Sequence, residues 1–208
     1  MPDPISWSHA LPFLLLAATG GYLCGSIPFG LLLTRWAGLG DIRTIGSGNI
    51  GATNVLRTGN KGLAAATLLL DALKALVPVV VARQFGPDAM VVAGAFAFVG
   101  HLFPVWLRFK GGKGVACFFG IVFGIYWPVG LMAAGTWLLA AALFRFSSLA
   151  ALLAAVLTPA YFWFGQRFQF AELAGFLAVL VILRHRENIG RLLAGTESKI
   201  GDKREQAQ

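Results

Sequence analysis

Residues 114–144 read G-V-A-C-F-F-G-I-V-F-G-I-Y-W-P-V-G-L-M-A-A-G-T-W-L-L-A-A-A-L-F, and whether this run is one helix or two decides the fold. As a single helix rising about 1.5 Å per residue it would be roughly 46 Å long, too long for a hydrocarbon core of about 30 Å. Tyr126, Trp127, Pro128 and Gly130 place a turn in its middle, with aromatic rings where bilayer meets water. Two spans follow, 114–127 and 128–144. Further apolar runs at 11–34, 63–82, 89–107, 149–165 and 171–183 bring the expected number of membrane helices to seven. The basic residues test that division, because Lys and Arg collect in cytoplasmic loops. With seven spans and the N-terminus outside, Arg35, Arg43, Arg57, Lys61, Arg108, Lys110, Lys113, Arg145, Arg184, Arg186, Arg191, Lys199, Lys203 and Arg204 face the cytoplasm, against only Arg83 and Arg167 outside. Fusing 114–144 into one span would send the basic tail to the wrong side. The expectation is an all-α integral membrane protein, a single domain over 1–208, with a cytoplasmic C-terminus and a flexible tail at 197–208.

Composition agrees. Of 208 residues 57 % are apolar and only 12 % charged, yet the net charge is +8, and the mean hydropathy is +0.73. So little water-facing surface leaves no room for nucleic acid as a partner, whereas anionic lipid headgroups or an anionic substrate fit basic loops beside a lipid bilayer. Residues 1–10 carry Asp3 and no Lys or Arg, unlike a signal peptide, so the first apolar run is expected to stay in the membrane. Cys24 and Cys117 both fall in apolar runs and read as packed thiols. No Cys or His set has zinc spacing, no carboxylate pair suits glycosidic chemistry, and no metal or cofactor is expected.

The densest set of donors is residues 43–57, R-T-I-G-S-G-N-I-G-A-T-N-V-L-R. Gly46, Gly48 and Gly51 let backbone N–H groups converge on an anion. Ser47, Asn49, Thr53 and Asn54 add side-chain donors, while Arg43 and Arg57 add guanidinium forks that match a phosphate. With no carboxylate among them, the stretch reads as a phosphate cradle rather than a solvated turn. A second loop, H-L-F-P-V-W-L-R-F-K-G-G-K-G-V-A at 101–116, sets Arg108, Lys110 and Lys113 around a glycine turn that opens the next helix, where free N–H groups attract anions. Its G-G-K-G lacks the glycine spacing, the following Ser or Thr and the strand of a nucleotide-binding loop. Ser147 and Ser148, after the short connection at Arg145, are helix-cap candidates open to the same basin.

The tail at 184–199 reads R-H-R-E-N-I-G-R-L-L-A-G-T-E-S-K. If the last helix runs on to Ala194, His185 and Asn188 share a face, an imidazole with an amide one turn away. Two features lie within the membrane. In G-S-I-P-F-G at 25–30, Pro28 removes a backbone bond that Ser26 can refill. Asp71 and Lys74 are neighbours on one face near mid-bilayer, either an ion pair or part of a proton path.

Five segments together resemble the bacterial acyl-phosphate:glycerol-3-phosphate acyltransferases, the PlsY family, along nearly the whole chain. They are G-S-I-P-F-G at 25, G-S-G-N-I-G-A-T-N at 46, G-H-L-F-P at 100, F-K-G-G-K-G-V-A at 109 and H-R-E-N-I-x-R-L-x-x-G-x-E at 185. Cys117, where the family carries Thr, and Phe146-Ser147, where it carries Tyr-Val, depart from the pattern in packing positions. The resemblance implies a seven-helix enzyme of the bacterial cytoplasmic (inner) membrane, its active site facing the cytoplasm. It would move a fatty acyl group from acyl phosphate to the 1-hydroxyl of glycerol 3-phosphate, giving lysophosphatidic acid and phosphate, with no obligate protein partner indicated. By the same resemblance Ser47, Gly48, Asn49, Thr53, Asn54 and Arg57 hold phosphate, and Lys110 or Lys113 completes the substrate site with Ser148. His185 and Asn188 then sit at the glycerol hydroxyl, Glu187 or Glu197 braces the tail, and Ser26 supports the kink.

The chemistry agrees with the inventory. An acyl phosphate is a mixed anhydride with a good leaving group, so direct attack by a positioned hydroxyl needs no acyl-enzyme. Either His185 or a phosphate oxygen of the substrate takes the proton. The His-then-Asp signature of soluble-type acyltransferases is excluded, since Leu14, Trp106 and Gly190 stand five after the three histidines. The rival class is a transporter of a phosphorylated metabolite. Against it stand polar residues crowded on one side and an odd number of spans without visible repeats.

Overall fold

The computed structural model describes residues 6–201, and every regular element among them is helical. In chain order these are α1 (Trp7–Gly25), α2 (Phe29–Trp36), α3 (Ala52–Leu56), α4 (Lys61–Ala82), α5 (Pro87–Leu102), α6 (Val115–Ile125), α7 (Trp127–Phe144), α8 (Ser147–Phe164), α9 (Phe168–Arg184) and α10 (Arg186–Leu193). Five stretches are long and apolar enough to cross a bilayer: Trp7–Trp36, Lys61–Phe85, Pro87–Leu107, α7 and α8. The pair α9 and α10, bent by 63°, makes a sixth if it counts as one. The turn that divides 114–144 lies where the sequence puts it. Tyr126 is extended (φ −155, ψ 102) and the helix restarts at Trp127 with Pro128 in its first turn, where a missing N–H costs nothing.

α6 is the element that differs from expectation. It has 11 residues, about 16 Å of helix, because the chain ahead of it is held in a non-helical turn. The amides of Gly111 and Gly112 donate to the carbonyls of Leu102 and His101 at the end of α5, each at 3.1 Å. Non-helical backbone is stable at membrane depth only where protein satisfies it in this way.

The helices alternate in direction. Along α1 and α5 the contacts advance together: Gly21 lies against Ala93, Gly25 against Ala97, and Ser26 against Gly100. A Cβ at Gly21 or Gly25 would come within 2.4 or 2.0 Å of the carbonyl oxygens of Ala93 and Ala97, so this stripe lets two backbones touch. α4 and α6 are likewise parallel. The Cys117 thiol donates to the Asp71 carbonyl at 3.1 Å, Gly120 abuts Ala72 and Gly124 abuts Val79. Arg83 closes that end by donating to the carbonyls of Gly124 and Ile125, both at 3.0 Å. α6 therefore begins level with the midpoint of α4. Phe98, Phe118, Ile121 and Leu177 fill the space between these helices, and Cys24 and Cys117 remain unbridged thiols.

The first span breaks at Ser26-Ile27-Pro28, as Pro28 predicts, but Ser26 does not refill the break. Its buried hydroxyl has no hydrogen-bond partner among the described residues. Lys74 reaches over from α4 and donates to the Ile27 carbonyl at 2.6 Å; its four-carbon stem spans a gap between helices that a serine cannot. Of the tail expected at 197–208, residues 202–208 lie outside the described residues. The part before them is tied down: the Ile200 amide donates to the Arg145 carbonyl at 2.7 Å.

Candidate active site

The cradle loop is shaped by groups that the sequence reads as ligand-facing. Asp41, just ahead of the carboxylate-free stretch, caps the 3-10 turn at Ile42–Thr44 by accepting from the Arg43 amide. It also takes the guanidinium groups of Arg43 at 2.6 Å and Arg35 at 2.9 Å. These hydrogen bonds, chiefly those of Arg43, hold the Asp41 carboxyl far below the usual carboxylate range. Arg43 is thus turned aside from the loop it opens. Gly46 and Gly48 adopt φ of +54 and +66, which glycine takes without strain, and the chain between them wraps around Asn54.

Asn54 is 1 % exposed. Its Nδ2 donates to the carbonyls of Ile42, Ile45 and Asn49 at 2.9, 3.1 and 2.8 Å. Its Oδ1 accepts from the Ser47 amide at 3.3 Å and from Arg57 at 3.4 Å. With both ends of its amide committed to the loop, Asn54 pins the cradle from within instead of facing a ligand. Asn49 accepts from the Gly51 amide at 3.0 Å, while Ser47, Gly48 and Thr53 are exposed along the loop surface.

Of the two lysines left open by the sequence, Lys113 is the one drawn inward. Its Nζ donates to Asn188 Oδ1 at 2.5 Å, whereas Lys110 is exposed. The turn that carries Lys113 is clamped by Arg184, which donates to the carbonyls of Gly112 and Gly111 at 3.0 and 2.8 Å. The charges of Arg191, Glu197, Glu187 and Arg57 all act on the Lys113 ammonium, so the cradle, the lysine turn and α10 meet at one place. Glu197 joins them. One of its oxygens accepts from Ser148 and from Asn188, both at 2.6 Å, and the other from Arg191 at 2.7 Å. Glu187 stays exposed in the first turn of α10, where a carboxylate suits the helix dipole.

The last helix does not run straight to Ala194. It bends by 63° at His185, because the ring Nδ1 bonds back to the Val181 carbonyl at 2.8 Å, the acceptor also used by the His185 amide. A side chain competing in the i to i−4 ladder is a recognised cause of a kink. Both His185 and Asn188 are buried, at 2 % and 7 % exposure. The Nδ1 proton is committed to Val181, so Nε2 is the nitrogen with a lone pair to offer.

The profile of the family described as "Glycerol-3-phosphate acyltransferase" matches residues 15–195. The chain belongs to this family. A glycerol-3-phosphate acyltransferase of Mesorhizobium japonicum is 63 % identical over 190 residues, 91 % of this chain and 97 % of that one. One from Caulobacter vibrioides is 59 % identical over 201 residues, 94 % and 92 % of the two chains. Among solved structures, the crystal structure of PlsY, an integral membrane glycerol 3-phosphate acyltransferase, in its glycerol 3-phosphate form superposes with a TM-score of 0.86 at 36 % identity. It covers 96 % of this chain and 100 % of that one. The lysophosphatidic acid form gives 0.85 at 35 % identity, covering 90 % and 95 %.

Within this family member, three site residues escape sequence reasoning. Arg184 and Arg191 read as positive-inside charges, and Asp41 draws no reading at all. For Arg191 a signal exists: it and Glu197 are the opposite charges of the final R-L-x-x-G-x-E segment. For Arg184 and Asp41 none does, since their partners are backbone carbonyls and neighbouring arginines.

Proposed function

We propose that this chain transfers a fatty acyl group from acyl phosphate to the 1-hydroxyl of glycerol 3-phosphate at the cytoplasmic face of the bacterial inner membrane. The observation that carries it is the joining of Lys113, Asn188, Glu197 and Ser148 beside His185, which unites segments distant in sequence into one donor-rich cluster. Arg57, Lys113 and the Ser47, Asn49 and Thr53 side chains hold the phosphate of the acceptor, with Gly48 turning the loop and Asn54 shaping it from within. The hydroxyl oxygen attacks the carbonyl carbon of the acyl phosphate and forms the ester bond. The bond from that carbon to the phosphate oxygen then breaks, inorganic phosphate departs, and the hydroxyl proton passes to His185 Nε2. Asn188, its amide committed to Lys113 and Glu197, holds that lysine in place, and the cationic groups stabilise the charge on the departing phosphate. The reaction is one of orientation and charge, and it forms no acyl-enzyme.

Seven crossings, with the N-terminus outside and the C-terminus inside, accord with the alternating helix directions. In this topology α6 and the non-helical turn ahead of it make one crossing together. Purified protein in micelles is expected to release phosphate only when acyl phosphate and glycerol 3-phosphate are both present. His185→Ala should lower kcat by about 10²- to 10⁴-fold, the usual contribution of a general base. Uptake of glycerol 3-phosphate into sealed vesicles without phosphate release would assign a carrier instead. A rate left intact in His185→Ala would place the base on the substrate phosphate.

A further inference from the structure

Asp71, Lys74 and His101 touch none of the residues assigned to the two substrates, yet they are 2 %, 6 % and 3 % exposed. Ionisable groups at membrane depth are costly and seldom idle. Lys74 Nζ lies 2.6 Å from Asp71 Oδ1 and donates to the Ile27 carbonyl at 2.6 Å; His101 Nδ1 is 4.0 Å from the same Asp71 oxygen. An ion pair needed only for stability could sit anywhere in the bundle. This one lies between the two anion-binding segments.

On one side, the Ile27 carbonyl leads through Pro28 into α2, which abuts the cradle so closely that a Cβ on Gly30 would come within 2.0 Å of the Ile50 carbonyl oxygen. On the other side, the His101 carbonyl accepts from the Gly112 amide at 3.1 Å. The His101 ring lies flush against the same glycine, where a Cβ would meet Nε2 at 2.2 Å. Lys113 is the next residue. Arg184 clamps the turn through the Gly111 and Gly112 carbonyls.

We propose that Asp71, Lys74 and His101 form a positioning group that sets the separation between the cradle at 46–57 and the lysine turn at 110–114. Lys74 fixes where α2 departs and hence where the cradle sits. Asp71 holds Lys74 and faces His101, which carries the turn. The proposal rests on reading both segments as holders of the glycerol 3-phosphate phosphate, and it concerns residues that act through Lys113 and the cradle rather than on substrate.

The test is the double variant Asp71→Asn with Lys74→Met, which leaves no lone buried charge behind. With thermal stability and monodispersity checked in detergent, its KM for glycerol 3-phosphate is expected to rise about tenfold with a smaller change in kcat, the signature of lost binding geometry. Combined with Lys113→Ala, the loss should shrink, because groups acting through one residue are not additive. His101→Phe, which keeps ring volume and adds no charge, should show the same KM shift and the same shrinkage, and it decides the matter if the double variant does not fold. An unchanged KM in a folded variant, or losses that multiply in full on the Lys113→Ala background, would overturn the positioning role. Failure of the underlying reading looks different: the unsubstituted protein itself would show no turnover with the two substrates.

Discussion

Burial works against charge at Glu197, yet hydrogen bonds from Ser148, Asn188 and Arg191 outweigh it and hold the carboxyl below the usual range. Glu197 therefore stays ionised and keeps the start of the tail docked while Lys113 is charged. Lys113 offers the phosphate a single cation on a flexible stem. Lys113→Ala is expected to raise the KM for glycerol 3-phosphate about tenfold with a smaller change in kcat, the pattern of lost substrate binding; steady-state kinetics in detergent check this. At this scale the sequence was only partly legible. Lys110 and Lys113 flank the same two glycines, and Asn49 and Asn54 share one motif. What separates them is burial: Gly46 and Gly48 wrap the chain around Asn54, and Arg184 clamps the turn that draws Lys113 inward.

At the scale of elements, helices are placed by small residues where backbones must touch. Gly25→Val is expected to push α1 off α5, because its Cβ would collide with the Ala97 carbonyl; overpacking of this kind costs about 1–3 kcal/mol and sometimes more. Gly20→Val, on the same helix with nothing within 4 Å of its Cβ, is the control and should leave the melting temperature in detergent nearly unchanged. Element boundaries were legible where local chemistry set them. The turn at Tyr126 and the break at Pro28 follow from aromatic, Pro and Gly chemistry within a few residues. Boundaries set by distant partners were not. α6 is shortened by carbonyls of α5, and the bend at His185 comes from a ring turned back on Val181; neither leaves a trace in hydropathy.

For the whole molecule, charge asymmetry carries the argument. Arg83 and Arg167, the two basic residues assigned outside, are both engaged, Arg83 on the carbonyls ending α6 and Arg167 3.9 Å over the Tyr126 ring. In a background with Cys24 and Cys117 replaced by Ala, a cysteine at Ser47 and one at Gly190 should both react with a membrane-impermeant maleimide only after the cytoplasmic face is opened. A cysteine at Gln166 should react in intact cells. Labelling of the 47 and 190 positions from opposite sides would dismantle the pocket. The helix α6 has a last consequence. Because it starts beside the midpoint of α4, the seven-crossing topology proposed above sinks the lysine ahead of it into the leaflet instead of leaving it at the rim. An amphiphile arriving sideways could keep its tail among the lipid chains and present only its polar end. The product would already stand where a new membrane lipid belongs, without passing through water.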